Sequence, residues 1–180
     1  EGGAVAFREP WLADILYKLK NFGITGKESV EYIGGNGKMN EFAAAMGLCT
    51  LRHVDEEIAK RKKVVECYRE NLDGIEGIQL PPIQKNVLSN YAYFPIVIDE
   101  KKFGVTRNEV FEALAVQHIY ARKYFYPLTS AFDCFHGKYD VYKTPVALHV
   151  SKRVLKIPMF AELHLDCVKR ICSIIANMKK

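Results

Sequence analysis

No run of apolar residues in the chain approaches the roughly 18 that a membrane-spanning helix needs, and no segment reads as a signal peptide. Cysteine is sparse. Cys49, Cys67, Cys134, Cys167 and Cys172 are odd in number and contain no C-x-x-C pair, which argues against a disulfide framework and against a zinc site. Reduced thiols in the cytoplasm, with no membrane partner, are the expected setting. The common catalytic signatures are missing too: there is no Walker loop, no G-x-G-x-x-G after a strand, no G-x-S-x-G and no H-E-x-x-H. The five histidines, His53, His118, His136, His149 and His164, are scattered one per expected element, so no metal site is read from them. Internal repeats and low-complexity tracts are likewise absent.

The 180 residues are 49% hydrophobic, 26% charged and 12% aromatic, which is the make-up of an ordinary globular domain with one buried core. The 26 basic and 21 acidic residues leave a net charge of +5. A surplus this small, spread along the chain, suits an anionic ligand but not nucleic acid. Its densest cluster, Lys60-Arg61-Lys62-Lys63, is flanked at helical spacing by Glu56, Glu57, Glu66 and Glu70 and has no interleaved aromatics, so it reads as a solvated helix face.

Gly3 to Phe7 reads as a short buried strand, followed by a helix led by Pro10 with Trp11, Leu12, Ile15, Leu16 and Leu19 on one side. From Asn21 to Met39 periodicity disappears and glycines gather, which marks a long loop. Asn40 can cap a helix running to about Asn71, on the order of 45 Å long at 1.5 Å per residue. Gly74 and Gly77 end it. Beyond Pro81-Pro82, Tyr91 to Ile98 is rich in strand formers, with Pro95 suggesting an edge or a bulge. Thr106 and Glu109 form a capping box for a helix to about Gln117. A strand from His118 to Lys123, an irregular region around Gly137, a helix from Val146 to Lys152, a strand from Val154 to Ile157 and an amphipathic helix from Leu163 to Met178 complete the chain. The expected class is α/β. Residues 1–40 would be a remnant of a larger domain, 41–73 a long interdomain helix, and 74–180 an α+β domain with helices on one face of a small, mainly antiparallel sheet.

The most suggestive local chemistry is the loop Gly34-Gly35-Asn36-Gly37-Lys38-Met39, which runs into a helix N-terminus. Backbone N–H groups, a helix dipole, an amide and a cation together suit a phosphate. The alternative is a tight turn that simply needs glycines.

Four segments carry a family resemblance: Glu1 to Val5; Gly35 to Glu41 with Ala43 to Leu48; Tyr91 to Val97; and Ala121 to Leu128. In this order they resemble the DegT/DnrJ/EryC1/StrS family of pyridoxal-phosphate-dependent aminotransferases, which act on nucleotide-linked keto-sugars. The resemblance spans essentially the whole chain and implies the C-terminal part of a fold-type I aminotransferase. It implies a homodimer that moves an amino group from an amino acid, usually glutamate, through pyridoxal phosphate to a keto-sugar nucleotide. Such amino sugars serve surface polysaccharides.

The family's Schiff-base lysine shortly precedes the E-G-G-A-V segment. The chain opens on that segment, so no catalytic residue is assigned within it, and the 180 residues alone are expected to be inactive. Where relatives carry histidine at the lysine position they perform a dehydration, an alternative that stays open. So does a natural, non-catalytic sugar-nucleotide binding module. Asn36 matches the family asparagine that reaches the cofactor phosphate of the neighbouring subunit, and Gly35 and Lys38 flank it as cofactor-binding candidates. The family commonly has an aromatic where Gly37 stands and Arg where Lys38 stands. Arg122, Tyr124 and Tyr126 lie in the segment that borders the sugar-nucleotide site and are the substrate-binding candidates, against the alternative of an exposed Arg and aromatics packing the sheet.

Overall fold

A computed structural model describes residues 2–180, so Glu1 of the opening motif lies outside the described residues. Two compact units are present, one ending at Val54 and one running from Asp55 to Lys180.

In the first unit, α1 (Leu12–Lys20) forms where expected, with Leu12, Ile15, Leu16 and Leu19 half-buried and Trp11 exposed. Gly3 to Phe7 is not a buried strand. It is exposed and makes no ladder among the described residues, because strand propensity without a partner leaves backbone groups to water. The expected loop from Asn21 to Met39 contains a small hairpin, β1 (Ile24–Gly26) antiparallel to β2 (Ser29–Val30). Three and two residues are too few for an alternating pattern to show in sequence. Asn40 caps α2 (Glu41–Leu51) as expected, its Oδ1 accepting the Ala43 N–H at 2.8 Å.

The expected continuous helix is in fact two. α2 ends at Leu51, and α3 (Val54–Leu72) starts after a turn in which the Arg52 and His53 N–H groups bond back three residues, to Cys49 and Thr50. The Thr50 hydroxyl donates to the Met46 carbonyl at 2.9 Å, a back-bond that bends helices just where this one stops.

The second unit holds the core. α3 buries Val64, Val65, Tyr68 and Leu72 along one stripe. Three strands, β3 (Ile78–Gln79), β4 (Pro95–Ile98) and β5 (Val154–Lys156), form an antiparallel sheet in the order β3-β4-β5. Ile96, Ile98, Leu155 and Ile157 are fully buried beneath it. Pro95 therefore lies on the central strand, not on an edge. It is the first residue of β4 and pairs with Lys156, whose N–H and C=O both point the other way, to Arg122, so the missing proline donor breaks no bond with β5. Between the strands run α4 (Glu100–Phe103), α5 (Arg107–Val116), three short 3-10 turns over 129–143 and α6 (Pro145–Arg153). α7 (Leu165–Ala176) closes the chain with Val168, Ile171, Cys172 and Ile175 buried.

The strand expected from His118 to Lys123 shrinks to one bridge, Arg122 with Lys156. Its first residues instead cap α5. His118 takes φ 59° while its N–H bonds to Ala115 and that of Ile119 to Leu114, a Schellman ending that uses backbone a strand would need. Among the described residues no helix is long and apolar enough to cross a membrane, and no cluster of three metal-ligating side chains occurs.

The capping box on α5 forms in full. The Thr106 hydroxyl accepts the Glu109 N–H at 3.2 Å, and the Glu109 carboxylate accepts the Thr106 N–H at 2.6 Å. That backbone donor, then the Thr106 hydroxyl, holds the Glu109 carboxyl below its ordinary range. Thr106→Ala should cost about 1 kcal/mol in urea unfolding near neutral pH. A depressed carboxyl stabilises the fold above its unfolded pKa of about 4.3 and ceases to as pH falls through the lower native value, so the variant should also lose part of that acid-side dependence.

Candidate functional site

The cofactor-binding candidates all lie in the first unit. The end of α1 presents three carbonyls that a helix cannot satisfy itself, and the glycine-rich chain returns to meet them. Gly23 N–H donates to Lys18 at 2.8 Å, Gly35 N–H to Leu19 at 2.9 Å and Gly37 N–H to Lys20 at 2.9 Å. Gly34 is needed for this approach, since a Cβ there would stand 2.5 Å from both the Leu19 carbonyl oxygen and the Gly23 nitrogen. The N–H groups of Gly35 and Gly37 are thus engaged within the chain, and the loop is not an open cradle of backbone donors. Gly35 has free space where its Cβ would be.

What the loop presents outward is side chain. Asn36 is exposed, fixed through its backbone by a bridge to Asn21, and its amide makes no hydrogen bond among the described residues. The Lys38 ammonium donates to Asn21 Oδ1 at 3.3 Å and stands 4.1 Å from the centre of the Phe22 ring, and among the described residues it makes no ion pair. An exposed amide beside a cation is a donor set that fits a phosphate ester.

The substrate candidates lie in the second unit, on the segment that follows Arg122. Arg122 is exposed and pairs by backbone with Lys156, 2.8 Å in each direction. The Tyr124 ring is tilted against Tyr93 at 5.5 Å and against Phe125 at 3.8 Å. The Tyr93 phenol is held above its ordinary range, first by the neighbouring Tyr124 hydroxyl. Tyr126 is half exposed, with one ring face covered by the Arg107 guanidinium at 4.9 Å. Of the three candidates, Arg122 and Tyr124 share one patch, and Tyr126 is anchored separately.

Arg107, Lys156 and Tyr93 are additions that the sequence reading did not make. Arg107 is only 4% exposed and donates to the Ser151 and Val154 carbonyls at 3.3 and 3.0 Å, satisfying the end of α6. Burial pushes its guanidinium below its ordinary range. The signal for Lys156 was period two in Val154-Leu155-Lys156-Ile157, which sets Lys156 on the opposite face of the strand from Leu155 and Ile157, where it is half-buried. A cavity of about 370 Å³ against α3, lined in part by Val65, Arg69, Pro82, Val87 and Tyr91, contains none of the expected residues. Its Arg69 guanidinium is engaged by the Pro81 carbonyl.

Comparison with known proteins identifies the family of the chain. The sequence pattern of the DegT/DnrJ/EryC1/StrS aminotransferase family matches residues 1–176. The dTDP-4-amino-4,6-dideoxy-D-glucose transaminase of Escherichia coli is 38% identical over 97% of this chain and 47% of its own length. The GDP-perosamine synthase of Vibrio cholerae is 27% identical over 98% of the chain and 48% of its own length. The solved structure of DesI in the presence of its TDP-sugar product superposes with a TM-score of 0.82 at 29% identity, over 92% of this chain and 42% of that one. The chain spans about half the length of the curated relatives it matches. The paired antiparallel elements, the asparagine-bearing loop ahead of an alanine-rich helix and the match along nearly every residue have one common account: the chain belongs to the DegT/DnrJ/EryC1/StrS aminotransferase family.

Proposed function

We propose that this chain is the C-terminal part of a pyridoxal-phosphate-dependent aminotransferase that aminates a nucleotide-linked keto-sugar in the cytoplasm, with an amino acid such as glutamate as donor. The observation that carries this reading is the 38% identity, along 97% of the chain, to a transaminase whose name specifies a dTDP-linked amino sugar.

Asn36 and Lys38 are the residues that would hold the cofactor phosphate, through an amide N–H and an ammonium, in the neighbouring protomer of a homodimer. Gly35 serves by its place in the loop, since its N–H already bonds to Leu19. Phe22 and Asn21 keep the flexible lysine stem directed, which a lysine needs more than an arginine does. Bound there, pyridoxal phosphate supplies the electron sink that lets an amino group leave one carbon and join another. Arg122, Tyr124 and Tyr126 contribute charge and aromatic surface to the sugar nucleotide. α2, apolar on every side and exposing Phe42 at 90% and Met46 at 68%, is a helix that the complete assembly would cover.

None of Lys18, Lys20, Lys27 or Lys38 is assigned the covalent role. Incubated with one equivalent of pyridoxal phosphate, the 180-residue chain should develop no saturable internal-aldimine absorbance band and no amino transfer. The longer product of the same gene should give both a lysine adduct outside these 180 residues and glutamate-dependent amination of a dTDP-keto-sugar. In that longer protein Asn36→Ala should weaken cofactor retention by about tenfold, the worth of one charge-assisted hydrogen bond of about 1.4 kcal/mol. A saturable internal-aldimine band on the chain itself would overturn its inertness, and dehydration without amination by the longer protein would overturn the aminotransferase reading.

A further inference from the structure

Arg122 and Lys156 are directly opposed in an antiparallel pair, each N–H bonding the other's carbonyl at 2.8 Å. Residues opposed in this way project their side chains to the same face, with Cβ atoms about 5 Å apart. Like charges so placed repel and weaken the pairing. A nearby carboxylate would relieve the conflict, of the kind that Lys60 on α3 has in Glu56, Glu57 and Glu162. Here none is supplied: among the described residues neither Arg122 nor Lys156 makes an ion pair. Lys156 is also half-buried, and its ammonium lies below its ordinary range, first from burial and then from Arg122. Its Nζ stands 5.7 Å from the centre of the Tyr93 ring, and Tyr93 in turn rests 5.5 Å from Tyr124. Two uncompensated cations therefore share one face of the sheet, walled by two tyrosines whose edges and hydroxyls can receive an anion.

We propose that Arg122 and Lys156 together form a diphosphate-binding site, walled by Tyr93 and Tyr124, for the nucleoside diphosphate portion of the substrate. The proposal rests on the sugar-nucleotide reading above and adds to it the residue, Lys156, and the group it grips. A diphosphate matches the site better than a single phosphate because two phosphoryl groups can each meet one cation. The forked guanidinium takes one in two-point contact and the ammonium takes the other as a point charge.

The test is titration of the 180-residue chain with dTDP, with pyrophosphate and with inorganic phosphate, read by calorimetry and by backbone amide shifts. The expected result is that dTDP and pyrophosphate shift the amides of Tyr93, Arg122, Tyr124 and Lys156 and bind at least tenfold more tightly than inorganic phosphate. Lys156→Gln and Arg122→Gln should each weaken dTDP by about tenfold, Lys156→Arg should restore it to within about threefold, and Lys62→Gln, on the exposed face of α3, should change nothing. Circular dichroism of each variant separates a lost site from a lost fold, and the arginine rescue does so independently. Equal affinity for inorganic phosphate would overturn the diphosphate assignment. Binding of dTDP that survives both glutamine substitutions would overturn the site while leaving the sugar-nucleotide reading intact. No binding to a folded chain would overturn the site too, and amination by the longer protein would then still decide the aminotransferase reading.

Discussion

Phe94→Ala should lower the stability of the second unit by about 3 to 5 kcal/mol, the cost of deleting a fully buried aromatic side chain. Phe94 is 1% exposed and lies stacked on Tyr68, centroids 5.2 Å apart and planes within 11°. The pair joins α3 to the start of β4. Tyr68 is itself 0% exposed, and its hydroxyl donates to the Pro158 carbonyl at 2.8 Å, tying the same helix to the chain beyond β5. Burial pushes its phenol far above the ordinary range, so the ring stays neutral and its hydrogen bond is retained throughout the pH range of folding. Removing Phe94 leaves a void against a ring that cannot follow, because that hydrogen bond holds it. Domains of this size are stable by only about 5 to 15 kcal/mol, so the alanine variant should unfold at a much lower urea midpoint. Phe94→Leu, which keeps most of the volume, should cost less than half as much. A loss under about 1 kcal/mol for the alanine variant would mean that the ring does not pack as described.

Gly77→Ala should destabilise by more than about 3 kcal/mol, whereas Gly74→Ala should cost only about 1 kcal/mol. Both glycines have positive φ, +85° and +78°, so the intrinsic penalty for a Cβ is nearly the same. Their surroundings differ. A Cβ on Gly77 would lie 2.4 Å from the Phe103 nitrogen and 2.6 Å from its Cβ, and Phe103 is fully buried, whereas a Cβ on Gly74 would meet nothing. The Gly77 carbonyl also accepts the Asp99 N–H at 2.8 Å, which locks the turn to the end of β4. The difference between the two substitutions, read from paired urea curves, isolates close backbone approach from conformational preference. Equal costs would show that only φ matters.

In the sequence both glycines were legible as helix stops, but not this inequality. The same division runs through the site. Asn36 was singled out by its match to the family asparagine, and its exposed amide makes no hydrogen bond among the described residues. The glycines around it were read as freed donors, yet Gly35 and Gly37 donate to the end of α1. Which carbonyls a loop meets depends on how the chain returns, and nothing local encodes that. Arg122 and Tyr124 were named as candidates through their segment. Lys156, more than thirty positions later in the chain, was not, because only strand pairing sets it opposite Arg122.

By itself the sequence determined those parts of the protein that rest on interactions within a few residues. The capped starts of α2 and α5, the amphipathic stripe of α7 and the recurring segments that mark the family all belong to this class, because propensity, capping and periodicity act over one or two helical turns. Tertiary structure decided what depends on partners far away along the chain. It divided one expected helix at Thr50, left Gly3 to Phe7 without a ladder, seated Pro95 on a central strand and set two cations side by side. Hydrogen bonds and charges must be satisfied wherever the chain brings them, and only the folded arrangement says what they meet.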